Sequence, residues 1–184
     1  AAAMDELREQ SRLVLDGGTP IPNVFAEPCA FNVFSHASTV RPETGRNGEE
    51  QKMIDETKKS WNTEAIAGSP TCIRVPVLRA HTESINVTLA TPASEADVRD
   101  AVAAFPGVTL LDDRAANAFP TPRKAADGDD VLVGRIRPDA GAPGEPTAPG
   151  SDRRYRRFDL LCSGDQLRKG AALTAIQLAE RMRA

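Results

Sequence analysis

Arg74 and His81 are the side chains in this chain best suited to chemistry. A guanidinium recognises carboxylate or phosphate and an imidazole moves protons near neutral pH, and here they stand seven residues apart in the run TCIRVPVLRAHTES that begins at Thr71. Ile73, Val75 and Val77 favour a strand that would hold both groups rigidly. An odd interval on one uninterrupted strand sends side chains to opposite faces, so a shared site requires a bend. The sequence places that bend near Arg79 to Glu83, where it could bring both groups to one cleft. As a bare pattern the pair is either a site for a small anionic substrate or a satisfied structural pair.

Other groups carry weaker signals. Glu49 and Lys52, three apart at a predicted helix start, share a face and read as a surface ion pair or as ligand groups. Asp165-Gln166-Leu167-Arg168-Lys169-Gly170 opens the predicted last helix, where unpaired backbone N–H groups and a side-chain amide either meet a ligand or form a cap. Arg153, Arg154, Arg156 and Arg157 flank Tyr155 as a phosphate or partner site, or as a solvated strand entrance. A thiol nucleophile needs a depressed pKa and a neighbouring base. Neither Cys72 nor Cys162, both in apolar strand patterns, nor Cys29, after a proline, meets that demand. Two histidines, at 36 and 81, and scattered cysteines show no metal-ligand spacing, and no glycine-rich nucleotide fingerprint occurs.

The elements that must position these groups follow from periodicity. Met4, Leu7 and Val14 predict a helix stopped by Gly17-Gly18, and residues 24–35 read as buried strand or packed loop. Glu49 to Trp61 is a charged helix with an acidic first turn. Residues 71–77 and 84–90 are strands, the second from the alternation of Ile85, Val87 and Leu89. Ser94 with Asp97 starts a helix that ends at Pro106-Gly107. Strands follow at 108–111, 131–137 and 158–162, and Gln166 to Arg183 forms the last helix. Four prolines and three glycines between 138 and 150 predict a surface loop.

At 184 residues the chain is one domain or part of a larger one. With 23 basic and 26 acidic side chains its net charge of -3 gives no field for nucleic acid or an anionic membrane. Three cysteines suit a reducing compartment and free thiols. No apolar run approaches the roughly 18 residues of a membrane span, which predicts a soluble protein. The opening Ala1-Ala2-Ala3 lacks an initiator methionine, so earlier residues are expected to have been removed.

Taken in order, AFNVFSH from Ala30, EEQK from Glu49, the strand from Thr71, FPTP from Phe119, VGRIR from Val133 and GDQLRKGAAL from Gly164 resemble aspartate-β-semialdehyde dehydrogenases, the plant and algal branch most of all. The resemblance covers nearly the whole chain. It implies an α+β domain with a mixed, largely antiparallel sheet and helices on one face, as in the C-terminal domain of the glyceraldehyde-phosphate dehydrogenase type. Residues 1–164 would form the catalytic and dimerisation domain, and the helix within 165–184 would pack on a separate nucleotide-binding domain. The implied reaction interconverts L-aspartyl-4-phosphate and L-aspartate 4-semialdehyde with NADP, through a cysteine thiolate.

By resemblance, His81 is the acid/base, Arg74 holds the substrate carboxylate, Glu49 binds substrate, Lys52 binds phosphate and Gln166 contacts the nicotinamide end of the cofactor. The family's nucleotide-binding domain and nucleophilic cysteine have no counterpart here, so the chain alone is expected to be inactive and to need a companion carrying both, within a homodimeric enzyme of the plastid stroma or else the cytoplasm. The alternatives are a non-catalytic structural subunit of a larger assembly and a module that captures aspartyl phosphate. Ala37 stands where plant-type relatives carry asparagine, and the 138–150 loop is longer than usual.

Overall fold

The computed structural model describes residues 2–36, 38–145 and 153–183. Ala37 and the end of the Pro/Gly loop, residues 146–150, lie outside the described residues. Two compact units divide at Leu78 and Arg79.

In the first unit α1 (Ala2–Leu15) ends as expected, with the Gly18 N–H on the Leu13 carbonyl and Gly17 at φ +81. Its inward face is more polar than periodicity suggests. Glu6 and Gln10 are buried beside Leu7, because both serve the following loop. The Glu6 carboxylate accepts from the N–H groups of Asn23 and Val24, and Gln10 Oε1 accepts from those of Cys29 and Ala30. That loop therefore needs no ladder, and of residues 24–35 only Phe34–Ser35 (β1) is a strand. A small core of Leu7, Cys29 and Ala30, flanked by Phe25 and Phe34, lies beneath it.

The helix α2 (Gly48–Ser60) starts at a capping box. Asn47 Oδ1 accepts from the Glu50 N–H, and Glu50 Oε2 accepts from the Asn47 N–H, both at 2.9 Å. The strand expected over 71–77 shrinks to β2 (Ile73–Arg74), antiparallel to β1 with Arg74 opposite Phe34. Pro76 has no N–H to give a ladder, and the Val77 N–H turns back onto the Val75 carbonyl.

The second unit is built on a four-stranded sheet in the order β3 (His81–Ala93), β6 (Tyr155–Gly164), β5 (Val131–Pro138) and β4 (Val108–Leu110). Only the β4–β5 pair is parallel. This is the mixed, largely antiparallel arrangement that the resemblance implies. The β3 strand starts earlier than residue 84, at His81 itself. The short helix α4 (Pro122–Ala125), which periodicity cannot show at four residues, lies against β6, and α3 (Glu95–Ala103) packs on β4 and β5 behind a complete Ser94/Asp97 capping box.

Ile136, Phe158 and Tyr155 are fully buried at the centre of this unit. The β5 strand bulges between Gly134 and Arg137, and the buried Asp112 carboxylate, paired with Arg99, accepts from the N–H groups of Arg135 and Ile136 across it.

Two expectations change here. The last helix, α5, covers only Ala172–Arg181. Residues 165–171 form turns instead, since the Asp165 carbonyl takes the N–H groups of Arg168 and Lys169 and Gly170 adopts φ +76. Gln166 is therefore not in the first turn of a helix. Two members of the arginine cluster serve the strand entrance: β3 and β6 lose register between Thr88 and Ala93, and Arg156 donates to the carbonyls of Leu89 and Ala90 while Arg154 reaches that of Pro92. No helix among the described residues is long and apolar enough to cross a membrane.

Candidate functional site

Arg74, Glu49 and Lys52 belong to the first unit, His81 and Gln166 to the second.

The β1–β2 pair presents the Arg74 side chain to two neighbours, Phe25 and His36. Its guanidinium stacks over the Phe25 ring at 4.9 Å, and its Nη2 donates to His36 Nε2 at 2.8 Å. Its Nε is buried and has no hydrogen-bond partner. On this half-buried residue, a fixed guanidinium with a buried, unpaired Nε–H has room for a further acceptor, since such donors are otherwise satisfied in folded proteins.

The first turn of α2 is tied to the same strand. Glu50 Oε1 accepts from the Cys72 N–H at 2.9 Å, two residues before Arg74. The N–H groups of Cys72 and Asn47 hold the Glu50 carboxyl below its usual range. Glu49 and Lys52 sit on the outside of this turn, Lys52 Nζ 3.2 Å from Glu49 Oε1, with 36% of the Glu49 and 53% of the Lys52 side chain exposed. The hydrogen bond to Glu49, with the charges of Glu49 and Glu56, raises the Lys52 pKa, so the ammonium stays charged. Both groups can meet a ligand from solvent.

His81 opens β3 opposite Gly164 of β6, and its carbonyl accepts from Ser163 Oγ at 2.8 Å. Its ring is exposed and has no hydrogen-bond or ion-pair partner among the described residues. What is fixed is the backbone before it. Ala80 is buried at φ +76, a left-handed conformation that strains a residue with a Cβ, and its N–H donates to Gln166 Oε1 at 2.8 Å. The preceding Arg79 forms ion pairs with Asp165 and Asp127. Asp165 is wholly buried and also accepts from the N–H groups of Asp127 and Leu167. Burial by itself would raise its pKa, but those N–H groups and Arg79 outweigh it and hold the carboxyl below its usual range.

Residues 165 and 166 thus clamp residues 79 and 80. Gln166, read from sequence as a ligand contact, gives its carbonyl oxygen to this clamp and keeps only its amide N–H groups for anything else.

Sequence reasoning missed His36, Asn47, Glu50, Arg79 and Asp165. The Asn-x-x-Glu spacing of a capping box was available as a signal at 47–50. The His36–Arg74 and Asp127–Asp165 contacts join residues 38 positions apart and leave no local trace.

Cys29 and Cys162 are poor nucleophiles, and none of the three cysteines is in a disulfide. Burial raises the Cys29 pKa, and burial together with Glu83 pushes that of Cys162 up to about 11. Cys72 places its sulfur 3.4 Å from that of Met53.

Comparison with known proteins now bears on this geometry. The family model described as "semialdehyde dehydrogenase, dimerisation domain" matches residues 1–148. The chain belongs to that family. The aspartate-semialdehyde dehydrogenase of Synechocystis is 44% identical over 98% of the chain, and that of Prochlorococcus marinus 42% over the same share. The crystal structure of aspartate semialdehyde dehydrogenase II from Vibrio cholerae, complexed with ASA, superposes with a TM-score of 0.85 at 34% identity, covering 97% of this chain. The chain spans 49% of each of these three proteins. As a semialdehyde dehydrogenase dimerisation domain it shares their mixed α+β fold.

Proposed function

We propose that this chain is the catalytic and dimerisation part of an NADP-dependent aspartate-semialdehyde dehydrogenase that reduces L-aspartyl-4-phosphate to L-aspartate 4-semialdehyde with loss of phosphate. The nucleophilic thiolate and the cofactor fold are supplied from outside these residues by a companion chain, and the whole enzyme is a homodimer. The observation that carries this reading is the fixed Arg74 guanidinium with its buried, unpaired Nε, in a chain of this family.

Arg74 takes the substrate carboxylate by charge-assisted hydrogen bonds. Glu49 binds substrate, and the exposed Lys52 ammonium beside it meets the phosphate. His81, with an unencumbered ring on a clamped backbone, donates and accepts the proton of the reacting carbonyl group. The amide N–H groups of Gln166 face the nicotinamide end of NADP, which supplies hydride when bound.

The helix α5 is the part expected to dock on the nucleotide-binding domain. Ile176 and Leu178 are exposed on it, as is Met182 at its C-cap, and no α5 residue is buried, which suits a covering surface elsewhere. The resemblance to plant and algal enzymes suggests the plastid stroma, with the cytoplasm as the other compartment.

The test is phosphate- and NADP-dependent oxidation of aspartate semialdehyde by the chain combined with its companion. His81→Ala should lower kcat by about 10²- to 10⁴-fold while leaving the unfolding midpoint in place. Unchanged turnover removes His81 from the mechanism. Co-purification with a large unrelated complex and no such activity would favour a structural subunit.

A further inference from the structure

We propose that His36 is a positioning residue for Arg74, and through Ser38 for the first turn of α2; its role in the reaction rests on the reading of Arg74 as the carboxylate-binding group.

Arginine only donates hydrogen bonds, so the 2.8 Å contact from Arg74 Nη2 requires a lone pair on His36 Nε2. The ring proton then sits on Nδ1, which lies 3.1 Å from Ser38 Oγ and donates to it. That hydroxyl in turn accepts from the Glu49 N–H at 3.2 Å. The longer approach of the Ser38 N–H to Nδ1, at 3.3 Å, is then a contact without a lone pair to receive it.

Hydrogen bonds therefore connect Arg74 to the backbone of Glu49, converging on the Ser38 hydroxyl, which accepts from both the His36 ring and the Glu49 N–H. They link the guanidinium to the turn that carries Glu49 and Lys52. Phe25 holds the face of the guanidinium and His36 holds one of its edges, so the planar group is fixed in both tilt and swing. A guanidinium fixed in advance loses less freedom when it binds a carboxylate. The contribution of His36 is consequently to substrate affinity, with no part in proton transfer.

Two measurements test this. The first is nitrogen NMR of the chain itself, which has only two histidines to assign. His36 should be the Nδ1–H tautomer, and Arg74→Lys should shift it toward the Nε2–H form; an Nε2–H tautomer in the native chain overturns the proposal. The second is kinetics of the chain combined with its companion. His36→Phe, which keeps the ring and removes the acceptor, should raise KM for aspartate semialdehyde by about tenfold with kcat within about twofold.

His36→Gln, which restores an acceptor, should recover most of that KM, and His36→Phe should add little to Arg74→Lys. If His36→Phe fails to fold, His36→Leu takes its place. An unchanged KM, a loss confined to kcat, or no recovery with Gln overturns the proposal. If Arg74→Lys itself leaves KM unchanged, the reading of Arg74 fails, while the tautomer still reports on the His36 contact.

Discussion

The surroundings of Arg74 and His81 restrain opposite parts of the residue. At Arg74 the side chain is gripped, by the Phe25 ring and the His36 nitrogen, while its strand is only two residues long. At His81 the backbone is gripped, by a 13-residue strand after it and the Asp165–Gln166 clamp before it, while the ring is left open. The contrast follows the chemistry each group suits. A carboxylate receptor gains from a guanidinium with few rotamers left to lose. A proton carrier exchanges partners as the proton moves, so it gains from a fixed Cα and a ring free to adjust.

The largest blow to this contrast falls on the backbone clamp. Asp165→Ala leaves Arg79 and the N–H groups of Asp127 and Leu167 without their acceptor, and should destabilise the second unit by about 3 to 5 kcal/mol in urea unfolding. Because the folded carboxyl titrates below its ordinary value of 3.8, the folded chain binds fewer protons there than the unfolded one. Its contribution is complete above that value and is lost as the pH falls below it. The gap between native chain and variant should therefore close in acid, and a gap that persists would show that Asp165 is not the restraint.

A smaller effect sharpens the first-unit side. Asn47→Ala removes the cap of α2, leaving the Glu50 N–H without its acceptor, and should cost about 1 to 2 kcal/mol. Faster amide exchange in the first turn of α2 would confirm the origin of the loss, and unchanged exchange would deny it. The smallest effect has the opposite sign. Ala80→Gly relieves the left-handed strain at φ +76 and should stabilise the second unit by roughly 0.5 to 1 kcal/mol. A loss of stability would mean that the buried Ala80 methyl matters more than its backbone.

The sequence makes legible what is local. Gly17-Gly18 stops α1, Ser94 with Asp97 starts α3, and the alternation from Ile85 to Leu89 marks β3. It fails where pairing at a distance decides. The β2 strand is short because its partner β1 is two residues long and Pro76 follows, so the apolar run from Ile73 to Val77 misleads. The last helix starts late because Asp165 and Gly170 close turns, which apolar spacing does not register.

The candidate site divides along the same line. Arg74, His81, Glu49 and Lys52 stand out by residue type and by resemblance. The groups that hold them make their defining contacts far along the chain, Glu50 22 and His36 38 positions away, and Asp165 with Arg79 farther still. Gln166 stood out as a ligand group, and its carbonyl oxygen is engaged by the Ala80 N–H.

The central pairing of the second unit also fixes how the chain must come together in time. Thr82 of β3 meets Ser163 of β6 81 positions later, and β6 lies between β3 and β5 in the sheet. Until synthesis has passed residue 164, the strand that starts at His81 has no partner to pair with. Closing so long a loop places such a sheet among slow folders, in the millisecond-to-second range of roughly similar β-rich domains. During that interval β3 presents an unpaired edge, so the order of the His81 backbone waits on a strand 81 positions later.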